Sequence, residues 1–259
     1  MIGHLRWLCR HDEAVLWAAM DNIPFENTVA SINFIYTKAS TFPCRVTTQE
    51  GGNYVLKLMG TGPGPVALLT EFIGLKIAAA MGLPVPTPKP LYLPPSFPWI
   101  MGTDEFDGAV QRSFGWNLGI EYVDGAHPAT ANEVRKADPA FLKALVAVDR
   151  ALTNTDRGEQ NPNVLLSPLG FIAIDFDACL YLRRAIQAVV PRNSSLWADH
   201  LLRGTSSLPA QAIPVEAIDR AVEEVPDQWL ETIGFGRMSL GNALRRYAES
   251  WNSIAATDN

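Results

Sequence analysis

The sequence has no long hydrophobic run, few cysteines and a small charged fraction. Its longest apolar run is about seven residues, Ala14 to Met20, whereas a helix that spans a bilayer needs about 20, so no membrane span is expected. The cysteines, Cys9, Cys44 and Cys179, are far apart and lack paired spacing. This disfavours a disulfide framework or a zinc site and fits a reducing cytoplasm. The hydrophobic fraction of 47% and the charged fraction of 19% exclude a disordered chain.

An excess of positive charge is also lacking. The 259 residues include 21 Lys and Arg against 27 Asp and Glu, which gives a net charge of −6. Residues 1–92 carry 7 basic and 6 acidic side chains, net +1, and residues 93–259 carry 14 and 21, net −7. Neither part has the basic surface that nucleic-acid binding needs, so no direct contact with nucleic acid is expected.

The hydrophobic pattern changes from strand-like to helical along the chain. Strand-like runs at 44–47 and 54–58 flank Gly51 and Gly52, which is typical of a β-hairpin. A helical pattern covers 66–81, and the prolines between 84 and 95 then indicate an extended linker. The other predicted elements are a strand at 32–36, helices at 12–20 and 139–153, strands at 163–166 and 171–175, and helices at 214–224, 226–233 and 238–253.

This order of elements predicts an α+β protein with two lobes. A small β-rich N-terminal lobe is expected over 31–120 and a larger, mainly helical C-terminal lobe over 121–259, with residues 1–30 as an N-terminal extension. Two lobes of this size leave room for a ligand cleft between them.

Lys57 and Glu71 form the first candidate pair. Lys57 lies within an apolar strand, and Glu71 lies early in the next helix, between apolar pairs. Alternation along the strand also permits Lys57 to face solvent, and Glu71 could point to water. A strand lysine paired with a helix glutamate is, however, the arrangement that orients the phosphates of a nucleotide.

A polar loop and the strand after it provide the second candidate group. Asp156 is followed five residues later by Asn161, and an apolar strand ends at Asp175. The two strands would bring Asn161 and Asp175 to the same end of a hairpin, where their oxygens suit Mg²⁺. Phosphoryl transfer needs such a metal site together with a carboxylate that accepts the proton of the acceptor hydroxyl. A polar turn and a helix N-cap are the structural alternatives for these residues.

These motifs together resemble the protein-kinase-like superfamily and, within it, the HipA-like kinase family. The similarity is carried by Tyr54-Val-Leu-Lys57, by Glu71, by the passage from Ala80 to Pro86 and by Asn154-Thr-Asp-Arg-Gly158 with Asn161. The segments Asn161-Pro-Asn-Val-Leu165 and Pro226-Asp-Gln-Trp-Leu230 add to it. The loop around Asp156 is also similar to HipA toxins and to type II phosphatidylinositol 4-kinases. The resemblance covers roughly residues 30–250 and implies a bilobal protein-kinase-like fold.

The resemblance also implies a role for each candidate residue. Lys57 would hold the phosphates of ATP, Glu71 would orient Lys57, and Asp156 would be the catalytic base. Asn161 and Asp175 would bind Mg²⁺, with Asn163 as a rival to Asn161 because Asn163 directly enters the strand. The segment Gly119–Val123 resembles the hinge whose backbone meets the adenine, and this makes Glu121, Tyr122 and Val123 candidate nucleotide contacts.

The sequence departs from the kinase pattern in the phosphate loop. The stretch from Thr37 to Thr41, which precedes the lysine strand, contains no glycine. Ser40 and Thr41 are candidates there for binding phosphate oxygens. In addition, Asp177 stands where a glycine normally follows the metal-binding aspartate and phenylalanine, either to help bind the metal or to face water.

The expected function is transfer of phosphate from ATP to a protein serine or threonine, with Mg²⁺ as cofactor. A catalytically silent nucleotide-binding module is the alternative that the glycine-poor loop suggests, and a lipid or small-molecule alcohol is an alternative acceptor. The expected partners are therefore a nucleotide and a protein or small-molecule acceptor. HipA proteins often act beside a DNA-binding antitoxin, which makes a regulatory protein partner conceivable.

Overall fold

The N-terminal part of the described chain forms a five-stranded antiparallel sheet in the order β1-β2-β3-β5-β4. The computed structural model describes residues 24–37, 41–62, 64–98, 103–191, 199–203 and 210–257. The predicted helix at 12–20 lies outside these residues. The strands are β1 (Val29–Ile35), β2 (Cys44–Thr48), β3 (Asn53–Lys57), β4 (Pro88–Leu93) and β5 (Gly115–Glu121).

The predicted hairpin between β2 and β3 is confirmed, and its register runs from Cys44 opposite Leu56 to Thr47 opposite Asn53. Gly51 has a φ of +88° in the connecting turn, a conformation that glycine adopts without steric cost. The side chains of Cys44 and Leu56 are buried on one face of the sheet. Because side chains alternate along a strand, Lys57 projects from the opposite face.

The prediction of a linker through the prolines between 84 and 95 is wrong for Pro88–Leu93, which form β4 at the edge of the sheet. Pro88 and Pro90 pair with Ile120 and Leu118, and Lys89 lies between them. Only alternate residues of an edge strand donate to its neighbour, so the missing N–H groups of the two prolines fall on the side that needs no donor.

Helix α1 (Pro65–Ala80) confirms the helix predicted at 66–81, and eleven of its sixteen residues are buried. An apolar pattern on all sides is typical of a helix enclosed by other elements. One face packs against the sheet, and another packs against helices from the C-terminal part of the chain. Helix α2 (Asp104–Gln111), which the sequence did not predict, packs Phe106 and Val110 against the other face of the sheet.

The C-terminal part is mainly helical and includes a small sheet, which has three strands in the residues described. The predicted strands at 163–166 and 171–175 are confirmed as a hairpin. The elements of the C-terminal part are β6 (His127–Pro128), α3 (Ala131–Val134), α4 (Pro139–Leu152), β7 (Val164–Ser167), β8 (Gly170–Ala173), α5 (Tyr181–Ile186), α6 (Val215–Glu223), α7 (Asp227–Ile233) and α8 (Arg237–Thr257). Helices α4, α6, α7 and α8 confirm the four helices predicted in this region.

Helix α7 joins the two parts of the molecule. The indole of Trp229 is fully buried, packs edge-on against Phe72 of α1 and donates from Nε1 to the carbonyl of Trp116 in β5 at 2.8 Å. Gln228 accepts from the Trp116 N–H at 2.7 Å. A Cβ atom at Gly115 would lie 2.4 Å from the Gln228 side chain, so only glycine permits this approach. The sheet, α1 and the C-terminal helices therefore share one hydrophobic core.

Across the described ranges, no helix combines the length and the apolar character that crossing a membrane requires.

Candidate active site

Lys57, at the end of β3, lies among three carboxylates. Its Nζ forms an ion pair with Glu71 of α1 and lies 2.7 Å from Asp175 Oδ1 and 3.7 Å from Asp177 Oδ2. The lysine side chain is 17% exposed and that of Glu71 is 2% exposed. The alternative in which Lys57 faces solvent and Glu71 points to water is therefore excluded by these positions.

The β7–β8 hairpin brings Asn163 close to Asp175. Val164 is opposite Ala173, and the Ile174 N–H donates to the Asn163 carbonyl at 2.9 Å. This register places Asn163, which precedes β7, beside Asp175, which follows Ile174. Asn163 is 8% exposed, with a φ of +49°, and Asp175 has a φ of +63°. Such backbone conformations are uncommon outside glycine and cluster at functional sites.

Asp156 lies in the loop between α4 and β7 and is held by both asparagines. Asn161 Nδ2 donates to Asp156 Oδ2 at 2.8 Å, and Asn163 Nδ2 donates to the same oxygen at 3.1 Å. Asn161 is exposed, whereas Asn163 is buried. Because each of these side-chain amides donates through its nitrogen, its oxygen remains available to accept a hydrogen bond or to bind a cation.

The carboxylates around Lys57 have the chemistry of a divalent-cation site. Ligand oxygens of Glu71, Asp175 and Asp177 all lie within 4.8 Å of one another. Mg²⁺ prefers carboxylate and amide oxygens and is usually held by one or two protein carboxylates together with substrate phosphates. Asp175, which follows the residue bonded to the Asn163 backbone, fits that donor set.

Burial and charge act in opposite directions on this cluster. Burial lowers the pKa of Lys57, but the attraction of Glu71, Asp175 and Asp177 outweighs it, so the pKa of Lys57 lies above its usual value. Burial raises the pKa of Glu71 to about 7, against the opposing effect of Lys57. Burial also raises the pKa of Asp177. The lysine therefore stays charged, while the buried glutamate is sensitive to pH.

This sensitivity predicts a pH-dependent effect of Glu71→Gln on stability. The pKa of Glu71 in the folded protein, about 7, is above its ordinary value of 4.5. Its contribution to stability is therefore complete below about pH 4.5 and is lost as the pH rises through about 7. Because Gln imitates the protonated acid, the free energy of unfolding of the wild type should fall relative to E71Q between about pH 5 and pH 8. Urea unfolding of both proteins at the two pH values measures this, and a pH-independent difference would contradict it.

A buried polar network underlies the loop that carries Asp156. Arg157 Nε lies 2.6 Å from Asp149 Oδ2 of α4, and both side chains are 0% exposed. His200 Nε2 lies 3.0 Å from the same oxygen. Arg157 Nη1 also donates to the carbonyls of Pro162 at 2.9 Å and Asn163 at 2.6 Å. The buried guanidinium of Arg157 thus connects Asp149 of α4 to the backbone carbonyls of Pro162 and Asn163.

Burial alone would raise the pKa of Asp149, but Arg157 and His200 outweigh that effect and keep the pKa below its ordinary value. Asp149 is therefore an ionised carboxylate within the core. This network is not evident from the sequence, because Asp149, Arg157 and His200 lie far apart along the chain or within a polar turn. The only local signal was an arginine directly after the candidate base.

The remaining candidate residues are not all brought to this cluster. Ser40 lies outside the described residues. Thr41 lies in the β1–β2 connection, close to Gly62: a Cβ atom added at Gly62 would be 2.8 Å from Thr41 Cγ2. Glu121 is paired with Tyr54, so its side chain lies on the face opposite Lys57, and its Oε2 accepts from the Thr87 N–H at 3.4 Å.

The chain segment after β5 holds the two other candidate nucleotide contacts. The Tyr122 N–H donates to the Asn53 carbonyl at 3.0 Å, and the Tyr122 ring lies beneath the Arg45 guanidinium, with its centroid 4.0 Å from the guanidinium carbon. Val123 is half-buried. This segment is thus attached to the start of β3, at the opposite end of that strand from Lys57.

Comparisons with known proteins agree with this architecture. A family model described as HipA-like kinase matches residues 33–249. The fold is similar to that of a Helicobacter pylori proinflammatory kinase, CtkA, with a TM-score of 0.50 and 12% sequence identity, covering 89% of this chain and 97% of that chain. The likeness shows a kinase fold with an N-terminal antiparallel sheet and a helical C-terminal part.

Another solved structure is similar at a lower level. It is the Rio2 kinase–ADP/Mg²⁺–phosphoaspartate complex from Chaetomium thermophilum, with a TM-score of 0.35 and 18% identity, covering 93% of this chain and 75% of that chain. No curated protein matches the sequence at a significant level.

Proposed function

Because the chain belongs to the HipA-like kinase family, we propose that it is an ATP- and Mg²⁺-dependent phosphotransferase whose acceptor is a serine or threonine hydroxyl of a protein. The observation that carries this proposal is the contact of Lys57 with both Glu71 and Asp175. A strand lysine, a helix glutamate and a carboxylate after a second strand converge there, as phosphoryl transfer requires. Residues 31–120 would be the nucleotide-phosphate lobe and residues 121–259 the lobe with the catalytic loop, with residues 1–30 as an N-terminal extension.

Each side chain has a distinct part in the proposed reaction. Lys57 binds phosphate oxygens, and Glu71 keeps its amine directed into the cleft. Asp156 accepts the proton of the acceptor hydroxyl, and its bonds to two asparagines fix its carboxylate for that role. Bound Mg²⁺ would supply charge neutralisation at the transferred phosphoryl group. Catalysis of this kind consists of positioning and electrostatic stabilisation.

We further propose that Asn163, in preference to Asn161, is the amide ligand of Mg²⁺. The contact between the backbones of Asn163 and Ile174 supports this, because Ile174 directly precedes Asp175. Asn161 is exposed and, through its bond to Asp156, has a positioning role.

The two asparagines provide a matched pair of variants. Asn163→Ala should raise the Mg²⁺ concentration needed for half-maximal nucleotide binding by about 10- to 100-fold, by analogy with other perturbed metal sites. Asn161→Ala should have a clearly smaller effect. A Mg²⁺ titration at fixed ATP measures both, and the reverse order would assign the ligand to Asn161.

The test of the function has two stages. Thermal-shift titration with Mg²⁺ and ATP should raise the melting temperature of the wild type and leave that of Lys57→Ala unchanged. Transfer of labelled γ-phosphate to a protein substrate, or to the chain itself, then separates an enzyme from a silent binding module. The absence of glycine between Thr37 and Thr41 favours keeping the silent module as the second candidate.

The acceptor class is tested in the same assay. Lipid or small-molecule alcohols replace the protein acceptor, and the products are identified by mass. Label on a lipid or small molecule, with none on protein, would reassign the acceptor while keeping the phosphotransferase.

A further inference from the structure

Arg45 of β2 projects from the same face of the sheet as Lys57. It is directly opposite Val55 of β3, which is in turn opposite Ile120 of β5. Residues opposite each other in antiparallel strands share a face, and residues two apart in one strand share it as well. Arg45 is therefore level with Val55, which precedes Lys57 by two residues, and lies about 7 Å from Lys57 along the strand direction. This displacement is toward the start of β3, away from Asp175.

Among the described residues, the charged group of Arg45 lies beside tyrosines, with Tyr122 beneath it and Tyr36 nearby. Its central carbon lies 4.0 Å from the centroid of the Tyr122 ring. Its Nε is buried and has no hydrogen-bond partner in the part of the chain that the structure describes. Arg45 forms no ion pair with any carboxylate in the ranges that the structure describes. A partly buried cation without a carboxylate partner is unusual, because removal from water is costly unless another group compensates for it.

A planar aromatic surface can provide that compensation. Guanidinium groups stack on aromatic faces and, unlike an ammonium, present a flat array of donors. Tyr122, on the segment after β5, already does this from one side. The base of a purine nucleotide is also a flat π-system and carries hydrogen-bond acceptors at its edge.

We propose that Arg45 binds the nucleobase, with its guanidinium lying over the face of a purine whose phosphates extend toward Lys57. This inference rests on the proposed function and specifies how the same cleft would bind its nucleotide. Ligand pockets are lined mainly by apolar side chains, whereas Arg45 would add a cation beside the apolar Val55 and Ile120. Binding energy from Arg45 then depends on the presence of the base, whereas binding energy from Lys57 depends on the phosphates.

Comparison of two probes separates these contributions. The affinities of ATP and of inorganic tripolyphosphate, each with Mg²⁺, are measured by calorimetry for the wild type, Arg45→Ala, Arg45→Lys and Lys57→Ala. R45A should weaken ATP binding about tenfold, as expected for loss of a desolvated cation–π contact, and leave tripolyphosphate binding unchanged. K57A should weaken the binding of both. Arg220→Ala, at an exposed arginine of α6, is the control and should change neither.

The Arg45→Lys variant keeps the charge but loses the planar group, so it should show most of the loss for ATP. It also carries the test if R45A fails to fold. Unchanged or tighter ATP binding in R45A would overturn the inference, and so would an equal loss for ATP and tripolyphosphate, which would indicate general attraction of anions. A wild-type protein that binds neither probe would overturn the proposed function itself, and the inference with it.

Discussion

Replacing Asp156 with Asn should lower the rate of phosphate transfer by about 10²- to 10⁴-fold, the usual contribution of a general base. Asn has nearly the same shape, and its amide oxygen can still accept from Asn161 and Asn163, so the loop should stay in place. What is lost is the ability to accept the proton of the acceptor hydroxyl. Nucleotide binding should be retained, because Lys57 and Asp175 are unchanged.

The measurement combines labelled phosphate transfer with nucleotide affinity for the same preparations. Asp124→Asn, which removes an exposed carboxylate after β5, is the control and should transfer phosphate at the wild-type rate. If Asp156→Asn also transfers phosphate at that rate, Asp156 is not the base.

The second large effect is expected for Arg157→Ala. This substitution removes the arginine from the buried Asp149 carboxylate and leaves it only the neighbouring His200 and Asn154 side chains; breaking a buried ion pair in this way costs about 3–5 kcal/mol of unfolding free energy. It also removes the donors to the Pro162 and Asn163 carbonyls. We therefore expect reduced stability and, in any protein that remains folded, a higher Mg²⁺ requirement.

The chain contains a matched control for this prediction. Arg245 pairs with Asp219 at 2.6 Å, the same distance as in the buried pair, but both side chains are more than 40% exposed. Arg245→Ala should change the free energy of unfolding by about 0–1 kcal/mol, as for other surface ion pairs. Urea unfolding of both variants measures the two changes. Equal losses would show that burial of Asp149 does not set the cost.

The sequence revealed those parts of the site that depend on local pattern. Lys57 and Glu71 could be found because a charged residue inside an apolar strand or helix must face either solvent or a partner. A short turn between two strands fixes the register of a hairpin, which predicted that the polar loop before β7 would meet Asp175; the residue named there was Asn161, whereas the backbone of Asn163 contacts Ile174. The proposal that Asn163 is the metal ligand uses that register, since the spacing from Asp156 alone favours Asn161.

The remaining features depend on contacts between distant segments. Arg45 occupies an alternate position in a strand, which in sequence is typical of a solvent-facing residue. Strand β4 was obscured by prolines that an edge strand tolerates. Helix α2 has only eight residues, fewer than the window of about 11 to 18 residues in which a helical period is recognised.

The enclosure of helix α1 restricts how this protein could be switched off. Kinases can be regulated by moving the glutamate helix away from the lysine. Here that movement would separate Phe72 from Trp229 and expose both to water, at about 1.5–3 kcal/mol for each large apolar side chain. The other buried side chains of α1 would also become exposed to water, which adds to this cost. If the proposed phosphotransferase activity is present, blocking the entrance of the cleft should inhibit it at lower energetic cost than withdrawing Glu71.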